Sequence, residues 1–354
     1  MQSAASALFA TGLRLSCVAS QFEAMRRSHY TFVKLRVLII TVLGLALAWY
    51  LLTHAGWQAV WTAATTVGWG GFALLCLATL LVFLIMGPAW YVLLPASFGL
   101  RVWPFIWARM VRDGASDALP FSQVGGFVLG ARAAILHGVS SCVTVASMIV
   151  DVTTEMLAQI AYIALGAVVL MARAPHTPTA GPFMMVFSTA VIIAIAAGGV
   201  FVALQRHGHH WMARKMAPRL IPGSAAHAPL IAETLDTIYE SPLRFATALL
   251  LHFCGWIASA GVTWIAFRLT GYPVDFSSVI MIESLVCAAR SVAFAVPNAL
   301  GVQEAAYALL TPLVGVDKEI GLAVSLLKRA RDIAIGVPIV LIWQTLEGRR
   351  VLAS

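Results

Sequence analysis

The stretch from Phe72 to Pro95 reads FALLCLATLLVFLIMGPAWYVLLP and contains no charged residue. An α-helix needs roughly 20 mostly apolar residues to cross about 30 Å of hydrocarbon, so this stretch predicts a membrane span. Other apolar stretches approach or exceed that length, and a last span is expected at about 319–346. These other stretches are Leu35–Thr53, Ser140–Arg173, Phe183–Gln205 and Phe245–Thr270.

The composition points to the same class of protein. Of the 354 residues, 60% are hydrophobic and only 11% are charged, whereas soluble domains carry about 25% charged residues. So few charges cannot cover the surface of a water-soluble body of this size. We therefore expect an all-α, polytopic helical membrane protein, with a cytoplasmic segment at 1–34 and a single integral membrane domain at 35–348.

The net charge of +8 is interpreted as an orientation signal, because Lys and Arg concentrate on the cytoplasmic side of a membrane. The basic residues before the first span and after the last predict that both termini are cytoplasmic, in a bacterial-type inner membrane. In this topology, Arg101, Arg109 and Arg112 follow the second span on the cytoplasmic side. We expect no nucleic-acid partner.

Two stretches, 101–137 and 276–317, are apolar but are interrupted by charges and by proline or glycine. Proline removes a helical hydrogen bond and glycine frees the backbone. Broken backbone at membrane depth is tolerated only inside protein or along a wet cavity. Both stretches are therefore predicted to be broken, re-entrant helical hairpins. The predicted broken-helix residues are Pro120, Gly125, Gly126, Pro297 and Gly301.

The two broken stretches match at a single offset, since 297 − 120 = 177. The same offset pairs Gly138-Val139 with Gly315-Val316, and Asp151 with Lys328. This predicts a repeat, with one copy at about 101–172 and the other at about 276–346. Three spans lie between equivalent points, which inverts the second copy, and inverted repeats with broken helices are a recurring plan of transporters. The alternative is chance similarity between two stretches rich in alanine, leucine and glycine.

Ionisable residues also occur within the predicted spans. A charge at the bilayer centre costs at least roughly 2.5–3.5 kcal/mol, so it needs a partner or water. Acids share one face of the third span and mostly bases share one face of the last span, so the two faces are complementary. Lys328 is also placed to pair with Asp332 on its own helix. The alternative to a functional site is a set of ion pairs that only fasten the bundle. The predicted lipid-headgroup cavity comprises Arg132, Asp151, Glu155, Asn298, Gln303, Glu304, Lys328, Arg331 and Asp332.

The sequence predicts no catalytic centre, no cofactor and no metal site. It has no P-loop, dinucleotide fingerprint or H-E-x-x-H motif, and Ser122 lies in S-Q-V-G-G, which differs from the G-x-S-x-G nucleophile elbow. His207, His209 and His210 are interpreted as residues of a solvated loop. An intramembrane enzyme acting on lipid headgroups stays open as an alternative, because the carboxylates permit acid–base chemistry.

Several motifs resemble the flippase-like membrane domain of lysylphosphatidylglycerol synthases, over roughly residues 30–350. They are Leu119–Gly126, Gly130–Arg132, Asp151 with Glu155, Pro297–Glu304 and Leu327–Asp332. The Gly-Val-Gln-Glu-Ala form from Gly301 and the tail from Trp343 are most similar to the HpnL subfamily of hopanoid-biosynthesis-associated membrane proteins. The broader family often has arginine where this chain has Gln303, so a headgroup contact of that arginine does not carry over.

The resemblance implies lipid handling or translocation and does not imply lysyl transfer. We expect a lipid transporter or flippase-like protein acting on hopanoids or related polar lipids. The alternative is a non-transporting component or scaffold of a hopanoid or lipid biosynthesis pathway. The expected partner is a membrane lipid, either a hopanoid or a phospholipid. Lipid-biosynthesis enzymes and a second copy of the chain are also considered.

Overall fold

The computed structural model describes residues 65, 67–118, 122–173, 228–293, 299 and 301–353, and also 192, 196, 198–203, 205 and 208. Every regular element in this part of the chain is helical. The main helices are α1 Trp69–Tyr91, α2 Trp103–Ala118, α3 Ser122–Leu136, α4 Ser141–Arg173, α5 Ala228–Tyr239, α6 Pro242–Leu269, α7 Phe276–Val292, α8 Val302–Leu310 and α9 Lys318–Ala353. Short 3₁₀ helices occur at Ala96–Phe98 and Thr311–Val314.

Three of these helices, α1, α4 and α6, are long and apolar enough to cross a membrane. They confirm the predicted spans at Phe72–Pro95, Ser140–Arg173 and Phe245–Thr270, and with them the all-α membrane class. The helix α9 covers the predicted last span. The predicted span Leu35–Thr53 lies outside the described residues, and Phe183–Gln205 lies largely outside them.

Helix α1 has one outward and one inward face. Leu74, Leu77, Leu81 and Leu84 are each about half exposed, and their spacing places them along one side of the helix. Because α1 has no charged residue, this side suits contact with acyl chains.

The inward face of α1 is anchored by Trp90, which is fully buried. Its ring meets that of Phe105 on α2 edge to face, with 5.3 Å between the centroids. Its indole N–H donates a hydrogen bond to Ser147 Oγ on α4 at 3.0 Å. Trp90 therefore ties α1 to both α2 and α4.

The first hairpin consists of α2 and α3, which have 16 and 15 residues. At about 1.5 Å per residue each helix is roughly 22–24 Å long, shorter than about 30 Å of hydrocarbon. A Cβ atom built on Gly126 would lie 2.5 Å from the carbonyl oxygen of Arg112, and one on Gly130 would lie 2.8 Å from Arg112 Cβ. The small residues thus let α3 pack closely on α2. Gly125 and Gly126 lie inside α3, and the predicted break residue Pro120 lies outside the described residues.

The second hairpin consists of α7 and α8. Gly301 directly precedes α8 and has a φ of +79°, a conformation that glycine adopts without steric cost. The Glu304 carboxylate accepts the backbone N–H of Gly301 at 2.8 Å and so caps the helix. The chain therefore turns at Gly301. Pro297 and Asn298 lie outside the described residues.

The same turn follows each hairpin. Gly138 and Gly315 have φ angles of +91° and +77°. In both turns, the residue after the glycine donates its N–H to the carbonyl five residues earlier. The long helices then begin at Ser141 and Lys318. These equivalent positions are separated by the offset of 177 residues predicted from the sequence.

An ion pair between partly exposed side chains joins the end of α4 to the start of α7. Arg173 Nη2 lies 2.6 Å from Asp275 Oδ2, and the Asp275 carboxylate also accepts the N–H of Ser278 and caps α7. Partial desolvation raises the pKa of the Asp275 carboxyl, but hydrogen bonds from Arg173, Ser277 and Ser278 outweigh it and hold that pKa well below its usual range.

We predict that Gly126→Ala destabilises the protein by about 1–3 kcal/mol, because the added methyl group meets the backbone of α2. Gly125→Ala is the matched control. A Cβ atom at Gly125 has no neighbour within 4 Å, so this change should stabilise the helix by up to about 1 kcal/mol. Unfolding of both variants in detergent measures the difference. Equal effects at the two glycines would contradict the close packing of α3 on α2.

Candidate functional site

Among the described residues, the largest group of buried and half-buried charges joins three helices. We call it the first charge cluster, and its members are Arg109, Arg112 and Asp113 of α2, Asp151 and Glu155 of α4, and His252 of α6. Asp151 is completely buried. Its Oδ2 accepts a hydrogen bond from Arg112 Nη1 at 3.0 Å, and its Oδ1 lies 2.9 Å from His252 Nε2.

Glu155 lies one turn further along the same face of α4. Arg109 donates to both of its oxygens, from Nη2 to Oε1 at 2.5 Å and from Nη1 to Oε2 at 3.1 Å. Arg112 donates to Glu155 as well. Arg109 also lies 2.7 Å from Asp113 on its own helix. Forked arginine–carboxylate contacts of this kind fix geometry as well as charge, so the cluster sets how α2 lies on α4.

A second charge cluster consists of Glu283 on α7, Tyr307 on α8 and Lys328 on α9. Lys328 Nζ lies 2.5 Å from Glu283 Oε2 and donates to the Tyr307 hydroxyl at 2.8 Å. The Tyr307 hydroxyl also hydrogen-bonds to Glu283. All three side chains are buried. The second charge cluster therefore fastens the second hairpin to α9.

Two further contacts join α8 to α9. Gln303 Nε2 donates to Ser325 Oγ at 3.0 Å, and Arg329 lies 2.7 Å from Glu304. Glu304 thus both caps α8 and binds α9. These contacts restrict the movement of α8 relative to α9.

The two hairpins approach each other at a third group of charges. We call it the inter-hairpin group, and it comprises Asp117 of α2, Arg290 of α7, and Arg331 and Asp332 of α9. Asp117 interacts electrostatically with the other three. The helices α2 and α9 come close at neighbouring glycines, since a Cβ atom on Gly114 would lie 3.2 Å from Gly336 Cα.

The arginines of the inter-hairpin group have donors to spare. Arg331 directs Nε and Nη2 to Asp332 Oδ1, at 3.0 and 2.5 Å. Its Nη1 makes no hydrogen bond among the described residues, and no described carboxylate lies within ion-pair distance of Arg290. An arginine has five N–H donors, so both side chains retain capacity to bind an oxygen-rich group.

The structure assigns the predicted cavity residues to different places. Asp151 and Glu155 lie together in the first charge cluster, and Lys328 belongs to the second. Arg331 and Asp332 lie in the inter-hairpin group. Gln303 and Glu304 hold α8 to α9, Arg132 has an exposed side chain on α3, and Asn298 lies outside the described residues.

The pairing of these charges differs from the sequence interpretation. The acidic face of α4 meets the arginines of α2, and Lys328 of α9 meets Glu283 of α7. Asp332 pairs with Arg331 and leaves Lys328 to Glu283. Each hairpin thus neutralises charges of the long helix that follows it.

Several contributors to the site were not identified as such from the sequence. The sequence predicts that Arg109 and Arg112 lie on the cytoplasmic side, which stays a prediction, but it does not predict that both are buried in the first charge cluster. A signal for them exists, since residues 109, 112, 113, 116 and 117 are polar and share one face of a helix. His252 lies in a largely apolar helix, and no periodic pattern marks it. Tyr307 follows Gln303 by one turn on the same face of α8, a spacing that marks a polar face.

One comparison with known proteins gives a match. Residues 34–339 match the family model described as "Lysylphosphatidylglycerol synthase TM region". This range covers most of the chain and includes both charge clusters and the inter-hairpin group. No curated protein and no solved structure matches the chain.

We predict that Lys328→Met destabilises the protein by about 3–5 kcal/mol, because Glu283 is left buried without a cation. Adding Glu283→Gln should recover part of that loss, since the double variant has no unpaired charge. Thermal unfolding in detergent provides the measurement. The control is Lys318→Met, because the Lys318 side chain is 67% exposed and its loss should change stability by less than about 1 kcal/mol. Additive losses in the double variant would contradict the pairing.

Proposed function

The chain belongs to the lysylphosphatidylglycerol synthase TM region family, and from this premise we propose that it is a lipid transporter of the flippase type. The family and the apolar helices make it a membrane protein related to lipid handling. The observation that carries the finer proposal is the inter-hairpin group, where the buried Arg331 and the half-buried Arg290 have unused donors and interact electrostatically with Asp117 of the first hairpin.

A lipid headgroup is the ligand that best suits this arrangement. Arg290 and Arg331 approach from different helices and offer N–H donors to phosphate or hydroxyl oxygens. Asp117 and Asp332 accept hydrogen bonds from headgroup hydroxyl or amine groups. Such a headgroup binds between the hairpins while its apolar body stays among acyl chains. A site of this kind lowers the cost of bringing a polar headgroup into hydrocarbon.

Movement across the bilayer requires access from both sides in turn. The equivalent turns at Gly138 and Gly315 support our proposal that the hairpins are two copies of one repeat, with the second copy inverted. In transporters with inverted repeats, one copy moves against the other around a fixed site. The inter-hairpin group lies where the two copies approach, so relative movement of the hairpins would open it to one side and then the other.

The substrate class is proposed from the sequence resemblance. The Gly-Val-Gln-Glu-Ala run from Gly301 and the residues from Leu327 to Asp332 are similar to the HpnL subfamily. We therefore include hopanoids and related polar lipids among the substrates, in a bacterial-type inner membrane with both termini cytoplasmic. The expected set of headgroup contacts still includes Arg132, on the first hairpin.

The proposal predicts that Arg331→Ala slows transbilayer movement of a fluorescent phosphatidylglycerol in proteoliposomes by about tenfold or more. Loss of a charged hydrogen bond of about 1.5–3 kcal/mol has this size of effect. Arg290→Ala should act in the same direction. The measurement is the rate at which the labelled lipid crosses the bilayer, followed by the change in the fraction that external dithionite can reduce.

Arg173→Ala is the matched control, because it removes an arginine from a surface ion pair at the end of α4. It should leave the transport rate within about twofold, as expected for an exposed pair. Size-exclusion profiles establish that each variant is folded. Unchanged lipid movement in folded Arg331→Ala and Arg290→Ala protein would refute a headgroup site at the inter-hairpin group.

A further inference from the structure

The first charge cluster is not electrically balanced. It contains two arginines, Arg109 and Arg112, and three carboxylates, those of Asp113, Asp151 and Glu155. With a neutral imidazole at His252, one negative charge is left uncompensated. Asp151 is fully buried, whereas the side chains of Glu155 and Asp113 are 14% and 26% exposed. An uncompensated charge that water reaches only in part is unfavourable, so the cluster favours gaining one positive charge.

The described charges of the second hairpin and of α9 show no such excess. In α7, α8 and the described part of α9 before residue 341, each buried or half-buried charge has an opposite neighbour, with Asp117 of α2 completing the set. Three of these neighbours form ion pairs, which are Glu283 with Lys328, Glu304 with Arg329, and Asp332 with Arg331. Asp117 interacts with Arg290 electrostatically, beyond ion-pair distance. The imbalance is therefore specific to the first charge cluster.

His252 is the group in the cluster that can supply the missing charge. Its side chain is completely buried, and its Nε2 lies 2.9 Å from Asp151 Oδ1. An imidazole bound to a carboxylate in this way donates its Nε2–H and keeps Nδ1 as the basic atom. In the described part of the chain, His252 Nδ1 has no hydrogen-bond partner, so it is available to accept a proton.

The helices packed against α6 place few other charges near His252. From α4, Asp151 contacts it directly and Glu155 interacts with it electrostatically. Helix α1 has no acidic or basic residue. The remaining charged residues of α5, α6, α7 and the link between α5 and α6 are Glu233, Asp236, Glu240, Arg244, Arg268, Glu283 and Arg290, and none of them forms an ion pair with His252. Arg109 and Arg112 of α2 bind the two carboxylates that act on the imidazole. The charges nearest His252 are therefore those of the first charge cluster, in which carboxylates outnumber arginines.

Further unpartnered polar atoms follow along the contact between α4 and α6. Trp256 lies one turn after His252, and its ring stacks on that of Tyr162 with 5.9 Å between the centroids. The indole nitrogen of Trp256 and the hydroxyl of Tyr162 are buried and have no hydrogen-bond partner among the described residues. Buried polar atoms of this kind usually bind water. Bound water along this contact would give protons a route to His252.

We propose that His252, held by Asp151, is a proton-binding site that neutralises the first charge cluster and that receives its proton through water between α4 and α6. In the binding step, a hydronium ion gives its proton to Nδ1 and leaves as water. The Nε2–H to Asp151 contact is retained, and the cluster becomes electrically neutral. No other bond is formed or broken.

Proton binding has a structural consequence at α2. A cationic His252 on Oδ1 shares the charge of Asp151 with Arg112 on Oδ2, so the attraction that the carboxylate exerts on Arg112 falls. This weakens the attachment of the first hairpin to α4. If the protein transports lipid as proposed above, this weakening couples proton binding to movement of the hairpin.

Infrared difference spectra of the purified chain in nanodiscs test the proton site directly, between about pH 8 and pH 5, where an imidazole titrates. The chain has nine histidines, so the His252 signal is the component of the wild-type imidazole band that is missing from His252→Gln. His137→Gln is the control, since His137 is only hydrogen-bonded to the carbonyl of Ala133, and it should retain the His252 component. A band in His252→Gln identical in shape and amplitude to that of the wild-type chain would overturn the proposal.

Asp113→Asn provides a test that leaves His252 and Asp151 in place. It removes one of the three negative charges, so the cluster is balanced without a proton. The His252 component of the infrared band should then be smaller than in the wild-type chain over the same pH range, because the cluster no longer gains neutrality by binding a proton. A His252 component as large as that of the wild-type chain would also overturn the proposal.

Proteoliposomes separate this inference from the proposed function. An imposed pH gradient should stimulate movement of fluorescent phosphatidylglycerol by wild-type protein and should not stimulate it in His252→Gln. Equal stimulation in both proteins would overturn the coupling. Absence of any lipid movement by wild-type protein would refute the transport function and the coupling with it, whereas the infrared result tests the proton site in either case.

Discussion

The contact between Asp151 and Arg112 is the constraint on which the rest of the structure depends. Asp151 is completely buried in a helix long and apolar enough to span a membrane, and a carboxylate in that position needs a cation. The arginines of α2 supply it, and this requires the first hairpin to lie against α4. Such a pair contributes little net stability compared with an apolar core, but breaking it is costly. It therefore specifies where the hairpin lies.

The second hairpin meets the same requirement with the charges exchanged. Lys328 lies 177 residues after Asp151, and here the long helix carries the base while Glu283 of the hairpin carries the acid. Both arrangements join a hairpin to the long helix that follows it. The inter-hairpin group lies where α2, α7 and α9 approach one another. Movement of one hairpin therefore acts on the other through these charges.

The class of fold was predictable from the sequence because it depends on length and composition. Stretches such as Phe72–Pro95 are too long and too apolar for another environment, and the corresponding helices confirm this. The break at Gly301 was also predictable, since the residue adopts the positive φ that glycine favours. Gly126 is predicted to lie at a break. It lies within α3 instead, where its lack of a side chain lets α3 pack closely on α2.

The partners of the buried charges were not predictable in the same way. The sequence alone does not distinguish an arginine in a short apolar helix from one in a cytoplasmic loop. The expected location of Arg109 and Arg112 therefore follows only from their position after the second span. Their partners are 39 to 46 residues away in the sequence, and only the packing of α2 on α4 brings them together. His252 is a more extreme case, because Asp151 is 101 residues away.

The central claim is that charges of the two hairpins form a shielded site for a lipid headgroup. The most direct measurement is a cryo-electron microscopy structure of the chain in nanodiscs that contain phosphatidylglycerol. We expect headgroup density within hydrogen-bond distance of Arg290 or Arg331, with Asp151 and Lys328 still in their ion pairs. A structure in which these side chains face bulk water, or in which headgroups lie only at the membrane surface, would contradict the claim.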